Sequence, residues 1–145
     1  MKKILLSLAI AVSSLTSFAN RPTEVNPEVL NAFQNEFALA KNVEWVASQY
    51  YYKAGFEINN KYLFAYYNQS GKLLAITRHI VADELPIKLQ LSLKKKYAGF
   101  WISDLFEVAK NDSSSYFITL EDADCKLVLQ SSDGKWEVYS KSKKV

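Results

Sequence analysis

The chain has 145 residues, with 18 Lys or Arg against 15 Asp or Glu, one His and one Cys. A single His and a single Cys exclude a zinc site built from those residues and an intrachain disulfide framework. The net charge of +3 comes without the concentrated basic face that nucleic-acid binding requires. Aromatic residues are the unusual component, at 14% of the chain, with nine Tyr, eight Phe and three Trp.

The first 19 residues read as a secretory leader. Met1-Lys2-Lys3 is a positive start, residues 4–12 are apolar except for Ser7, and Ser17-Phe18-Ala19 places small residues where a signal peptidase reads. The apolar run is far shorter than the roughly 20 residues that span a bilayer. Cleavage after Ala19 is expected to remove Lys2 and Lys3 and no acid, which takes the charge from +3 to +1. Most of the basic balance is then targeting, together with the tail lysines Lys141, Lys143 and Lys144, expected to be a solvated, frayed end. No Cys follows the leader, so lipid attachment is not available, and Cys125 is expected to be a small buried residue or a free thiol. Residues 20–145 suit one compact domain.

Asn26-Pro27-Glu28 starts a helix: Asn is placed to cap the first amides, Pro at the first position loses no bond, and Glu favours the positive end. Val29, Leu30, Phe33, Phe37 and Ala40 recur at helical spacing and end at Lys41-Asn42. From Val43 the period becomes two. Strands are expected over residues 43–47, 50–58, 62–67 and 72–81, with turns at Asn59-Asn60 and Asn68-Gln69-Ser70-Gly71. Residues 87–94 alternate like a strand, but Asp83-Glu84-Leu85-Pro86 resembles a helix entry with acids at the positive end. The stripe Leu89, Leu93, Tyr97 and the preference of Leu, Lys and Gln for helix decide for a helix. Strands return over residues 100–108, 116–120, 126–130 and 135–139, with a polar loop at 110–115 and turns at 121–124 and 131–134.

The two halves match as a helix followed by four strands. Phe33 and Phe37 before Val43-Glu44-Trp45 parallel Leu93 and Tyr97 before Phe100-Trp101-Ile102, and Asn68-Gln69-Ser70-Gly71-Lys72 parallels Ser131-Ser132-Asp133-Gly134-Lys135. A period of roughly 60 residues fits a duplicated unit. A helix leading into Asn42-Val43-Glu44-Trp45-Val46, a hairpin over residues 62–80, then Glu84-Leu85-Pro86 and the run 93–104 resemble the β-lactamase-inhibitor-like, PepSY-like family of exported bacterial proteins. The resemblance covers residues 26–139. It implies an α+β fold of two tandem helix-plus-four-strand units, about 26–82 and 83–140, forming one curved antiparallel sheet with both helices on one face. It also implies a periplasmic or secreted address, and it carries over no catalytic residue, metal or cofactor.

Catalytic patterns are weak. Ser113-Ser114-Ser115 has no nucleophile elbow and no His at useful spacing, and reads as a polar loop. His79 reads as a strand residue paired with a polar neighbour. Glu121-Asp122-Ala123-Asp124 lacks the length and central Gly of an EF-hand and reads as an acidic turn. No glycine-rich phosphate loop exists among four Gly. The aromatics are the better lead, because both faces of several strands carry large apolar groups. In a sheet with helices on one side, aromatics on the other side are either Tyr and Trp tolerating a half-wet surface with their polar atoms hydrated, or a contact surface for a partner. Tyr51, Trp101 and Tyr139, with Lys53, Glu57 and Arg78 as polar neighbours, are the candidate binding residues, although period two does not say which parity faces outward. The reading is a non-enzymatic exported module that binds a protein or peptide, with no nucleic acid and no stable membrane insertion. A carrier holding a small apolar ligand between sheet and helices is the alternative. A small hydrolase would need a cleft where His79 meets acids or a Ser.

Overall fold

A computed structural model describes residues 24–131 and 133–145; the expected leader lies outside them. Helix α1 (Pro27–Glu36) leads into strands β1 (Lys41–Ala47), β2 (Tyr52–Ile58), β3 (Lys61–Tyr67) and β4 (Leu73–His79). A single 3-10 turn, Ala82–Glu84, precedes α2 (Ile87–Lys96), followed by β5 (Trp101–Lys110), β6 (Ser113–Glu121), β7 (Cys125–Ser131) and β8 (Glu137–Lys143). The strands pair in chain order into one open antiparallel sheet, so the class is α+β.

Residue chemistry explains the connections. Asn59 and Asn60 take φ of 50° and 60°, and Asn111 and Asp112 take 48° and 60°. Short Asx side chains tolerate this left-handed region, so two residues close each hairpin with the twist its strands need. The loop expected at 110–115 is therefore only this two-residue turn, and Ser113 to Ser115 belong to β6. In the turn before β4, Asn68 Oδ1 accepts from the amides of Ser70 and Lys72 at 3.0 and 2.9 Å.

The helix ends differ from expectation for identifiable reasons. Asn26 does not cap α1 with its side chain; its amide donates instead to the Gln69 carbonyl at 3.1 Å, tying the helix start to the β3–β4 turn. At the second helix, Asp83 and Glu84 lie in the 3-10 turn and α2 begins after Pro86. The residue before a proline is pushed out of the helical region, so these acids never reach the first turn of α2.

Register settles the faces. Residues opposite one another in an antiparallel pair point to the same side. Phe33 of α1 packs against Ala54 and Phe56 of β2 and Ala65 of β3. Ala65 faces Ile76, Ile76 faces Ala109, and Leu105 shares the parity of Ala109 while packing against Leu89 of α2. Both helices therefore cover the same side. Beneath α1 the core is aromatic, with Phe33 within 5.3 Å of the Phe37, Trp45 and Phe56 rings. Beneath α2 it is aliphatic (Leu89, Leu105, Ile118, Leu120, Leu127, Leu129) and closed by Trp136, whose indole N–H donates to the Leu89 carbonyl at 3.1 Å.

Candidate functional site

The opposite parity forms the face that carries no helix. On β2 it presents Lys53, Gly55 and Glu57; on β3 Tyr62, Phe64 and Tyr66; on β4 Ala75, Thr77 and His79. It continues with Asp104, Phe106 and Val108 on β5, and Phe117, Thr119 and Glu121 on β6. Rings touch across it. The centroids of Tyr51 and Tyr66 lie 5.6 Å apart and those of Tyr62 and Phe64 5.2 Å. Further along, His79 meets Phe106 at 6.3 Å, Phe106 stacks on Phe117 at 5.2 Å, and Phe117 meets Tyr139 edge-on at 5.8 Å. Thr77 sits between the two groups, opposite Phe64.

This face is sealed in the middle and open at its ends. Tyr66, Phe106, Phe117, Thr77 and Thr119 are buried without any helix above them, so neighbouring side chains cover them. Tyr62 and Trp101 stay 48% and 53% exposed. Gly55 makes room for the β3 rings: a methyl group there would lie 2.6 Å from the Tyr62 hydroxyl and 3.3 Å from the Phe64 ring.

Five of the six expected residues, Tyr51, Lys53, Glu57, Trp101 and Tyr139, lie on this helix-free side. Tyr51 ends a turn that Ser48 builds by accepting the amides of Tyr50 and Tyr51 at 3.2 and 3.1 Å. The Lys53 ammonium hangs 4.0 Å over the Phe64 ring and 5.8 Å from that of Tyr66, and burial pulls its pKa down. Glu57 accepts from the Asn42 amide at 3.3 Å. Tyr139 is the extra residue of a bulge, since Val128 faces Ser140 while Leu129 faces Val138. Tyr51 and Lys53 gather around Tyr66 and Phe64, Tyr139 joins the Phe117 group, and Trp101 stands apart at the start of β5.

Arg78 is the exception. It faces the helix side opposite Glu107, donating through Nε to Glu107 at 2.7 Å and through Nη1 to Glu84 at 2.8 Å. These bonds, that to Glu84 foremost, raise its pKa, and Arg78 in turn holds the Glu84 carboxyl below the usual range. Arg78 staples the turn before α2 to the sheet from the helix side. Its two acids, one of them 29 residues away in β5, were not signalled by sequence proximity.

Lys144 was missed in the opposite sense. It is no frayed tail: its ammonium bonds Glu121 at 2.7 Å and the Asp122 carbonyl at 2.8 Å, and lies 4.5 Å above Trp101. The acidic turn is held by Asp122, whose Oδ1 accepts the amides of Asp124 and Cys125 at 2.8 and 2.7 Å. Cys125 is buried, and burial and the Asp122 carboxylate push its thiol upward, away from reactivity.

Two grooves accompany the sheet. One, of about 500 Å³, is half open between α1 and β1 and is lined by Leu30, Phe33, Phe37, Val43 and Trp45. The other, about 360 Å³ and shallow, lies where β4 ends, and there His79 Nδ1 is 3.1 Å from Asp104 Oδ1. Ser103 lines the same groove, but its hydroxyl donates to the Thr119 carbonyl at 3.4 Å. His79 thus meets an acid, while the Ser103 hydroxyl is engaged by the Thr119 carbonyl.

Solved structures share this arrangement. A DUF2874 family protein from Bacteroides uniformis ATCC 8492 superposes with a TM-score of 0.73 at 16% identity, over 83% of this chain and 90% of that one. A periplasmic-type protein from Bacteroides eggerthii DSM 20697 gives 0.72 at 14% identity, over 83% and 89%. A BLIP-like protein from Bacteroides fragilis NCTC 9343 gives 0.70 at 15% identity, over 86% and 89%. The chain has a BLIP-like fold. At these identities the likeness concerns fold alone. No family model and no curated protein matches the chain. Among the described residues, no helix is long and apolar enough to cross a membrane.

Proposed function

We propose that this chain is an exported, non-enzymatic binding module that engages a protein or peptide through the helix-free face of its sheet. The observation that carries the proposal is the graded aromatic face: buried rings of Tyr66, Phe106 and Phe117 fill its middle, and Tyr62 and Trp101 stand half exposed toward its ends. Large, rigid, partly wet rings contribute most of the energy of many interfaces, because they bury much area and lose little rotamer entropy. The BLIP-like neighbour supports a partner that is itself an enzyme of the cell envelope, restrained by this face. The neighbour described as periplasmic supports the exported address that the leader predicts. The order of helix and four strands, twice over, supports descent from a duplicated PepSY-like unit.

The test is affinity capture from envelope extract with the chain recovered after export, followed by Tyr51→Ala and Trp101→Ala. A specific partner whose retention falls at least tenfold in these variants supports the reading. Undiminished retention would remove the face from it. A second reading, carriage of a small apolar ligand, is favoured by the half-open groove beside α1. Its volume fits a small molecule, since such sites start at about 300 Å³. Quenching of Trp45 fluorescence by an apolar probe, abolished by Leu30→Gln, would support that reading instead.

A further inference from the structure

The two helices cover the same side of the sheet, yet their outward faces differ in kind. At 100° per residue, the face of α1 opposite Val29 and Phe33 carries Glu28, Asn31, Gln34 and Asn35, an ordinary neutral-to-acidic solvent face. The face of α2 opposite Leu89 and Leu93 carries Ile87 and Leu91 with Lys88, Lys94 and Lys95. Ile87 and Leu91 are 66% and 59% exposed, one turn apart, at the crest of the helix. No acid lies on α2. The ion pairs among the described residues use Arg78, His79 and Lys144, and none of the α2 lysines. Lys141 and Lys143 of β8 face Leu127 and Cys125 and so point to the same side as α2.

We infer that this crest docks on an anionic lipid surface. Lysines on flexible stems, spread around two aliphatic side chains, match a diffuse negative surface: the apolar pair enters the headgroup boundary and the ammonium groups stay at the phosphates. An acidic protein partner is disfavoured by the chemistry of the patch. Among the described residues it has no Arg fork and no aromatic anchor, and Lys is depleted at protein interfaces. The contact is peripheral, since neither helix is long or apolar enough to span. With α2 against lipid, the helix-free face points away from the bilayer, open to a partner.

The experiment is vesicle co-sedimentation with the chain recovered after export, its N-terminus established by mass spectrometry. Vesicles of phosphatidylglycerol and phosphatidylcholine in equal parts are compared with phosphatidylcholine alone, at low and high salt. The expected result is binding to the anionic vesicles only, weakened by salt. The triple variant Lys88→Gln, Lys94→Gln, Lys95→Gln is expected to bind at least about tenfold more weakly, given the contribution of each lysine near such a surface. Leu91→Ser should bind several-fold more weakly through lost burial. All four sites are exposed, and unchanged circular dichroism and thermal midpoint certify the fold. Equal binding to both vesicle types, or no loss in the triple variant, would overturn the inference. So would failure to bind anionic vesicles together with salt-sensitive capture by polyglutamate, which would assign the patch to an acidic polypeptide.

Discussion

The two faces of the sheet are both rich in aromatic rings but use them differently. On the covered face, Phe33 drives into a nest of Phe37, Trp45, Phe56 and Tyr67, and α1 closes the nest from above. On the helix-free face, Phe106, Phe117 and Tyr66 are shut only by neighbouring side chains, and the outermost rings remain half wet. The first arrangement is fixed by elements of backbone; the second is a layer of side chains that can yield. Stability should therefore reside mainly on one face and adaptability on the other, which is the division a binding module needs.

The largest expected effect breaks the covered side. Phe33→Ala should cost about 3 to 5 kcal/mol, the usual range for truncating a buried Phe whose surroundings cannot collapse, as read by urea unfolding. Next comes a pair of glycines. Gly71 has φ of +82°, and a methyl group there would stand 2.8 Å from the Glu28 carbonyl of α1, a backbone atom that cannot swing aside. Gly71→Ala should lose about 2 to 3 kcal/mol through left-handed strain and displacement of the helix. Gly55→Ala meets side chains alone: the end of Tyr62, which can turn into solvent, and the Phe64 ring at 3.3 Å, which must give by a few tenths of an ångström. It should change stability by less than about 1 kcal/mol while altering any partner contact that uses Tyr62. Equal costs at the two glycines would erase the proposed difference between the faces.

A smaller effect concerns the covered hydroxyl of Tyr67, which donates to Glu36 at 2.8 Å and whose pKa is raised by burial and by that carboxylate. The raised pKa means that its contribution is fully present below the ordinary tyrosine value near pH 10 and is lost as pH climbs above it. Tyr67→Phe should cost about 1 kcal/mol at neutral pH and show a shallower loss of stability in alkali than the parent chain. The smallest effect belongs to the open side. Trp101→Ala should leave the thermal midpoint nearly unchanged, within about 0.5 kcal/mol as for exposed sites.

Much of this architecture was legible in the chain. Pro27 with its apolar stripe, the Asn-rich turns and the change from period 3.6 to period two place α1, the meander and α2, because those signals are local. Face assignment was not, since aromatic residues occupy both parities. Period two also cannot be carried through the bulges at Leu74, Ser103 and Tyr139, each of which resets the alternation. Arg78 shows the other limit. A strand arginine beside aromatics looks like a hot spot until register brings Glu107 opposite it and the 3-10 turn brings Glu84 over it. Lys144 shows the reverse: a lysine-rich end looks solvated until β8 carries it to Glu121 and Trp101.

The most direct measurement is site-specific photo-crosslinking in the producing cell, with a photoreactive amino acid placed in turn at Tyr62, Trp101, Asn35 and Leu91. Discrete protein adducts from positions 62 and 101, and none from 35 and 91, are the predicted result. Protein adducts arising from positions 35 or 91 while 62 and 101 stay silent would contradict the assignment of partner binding to the helix-free face.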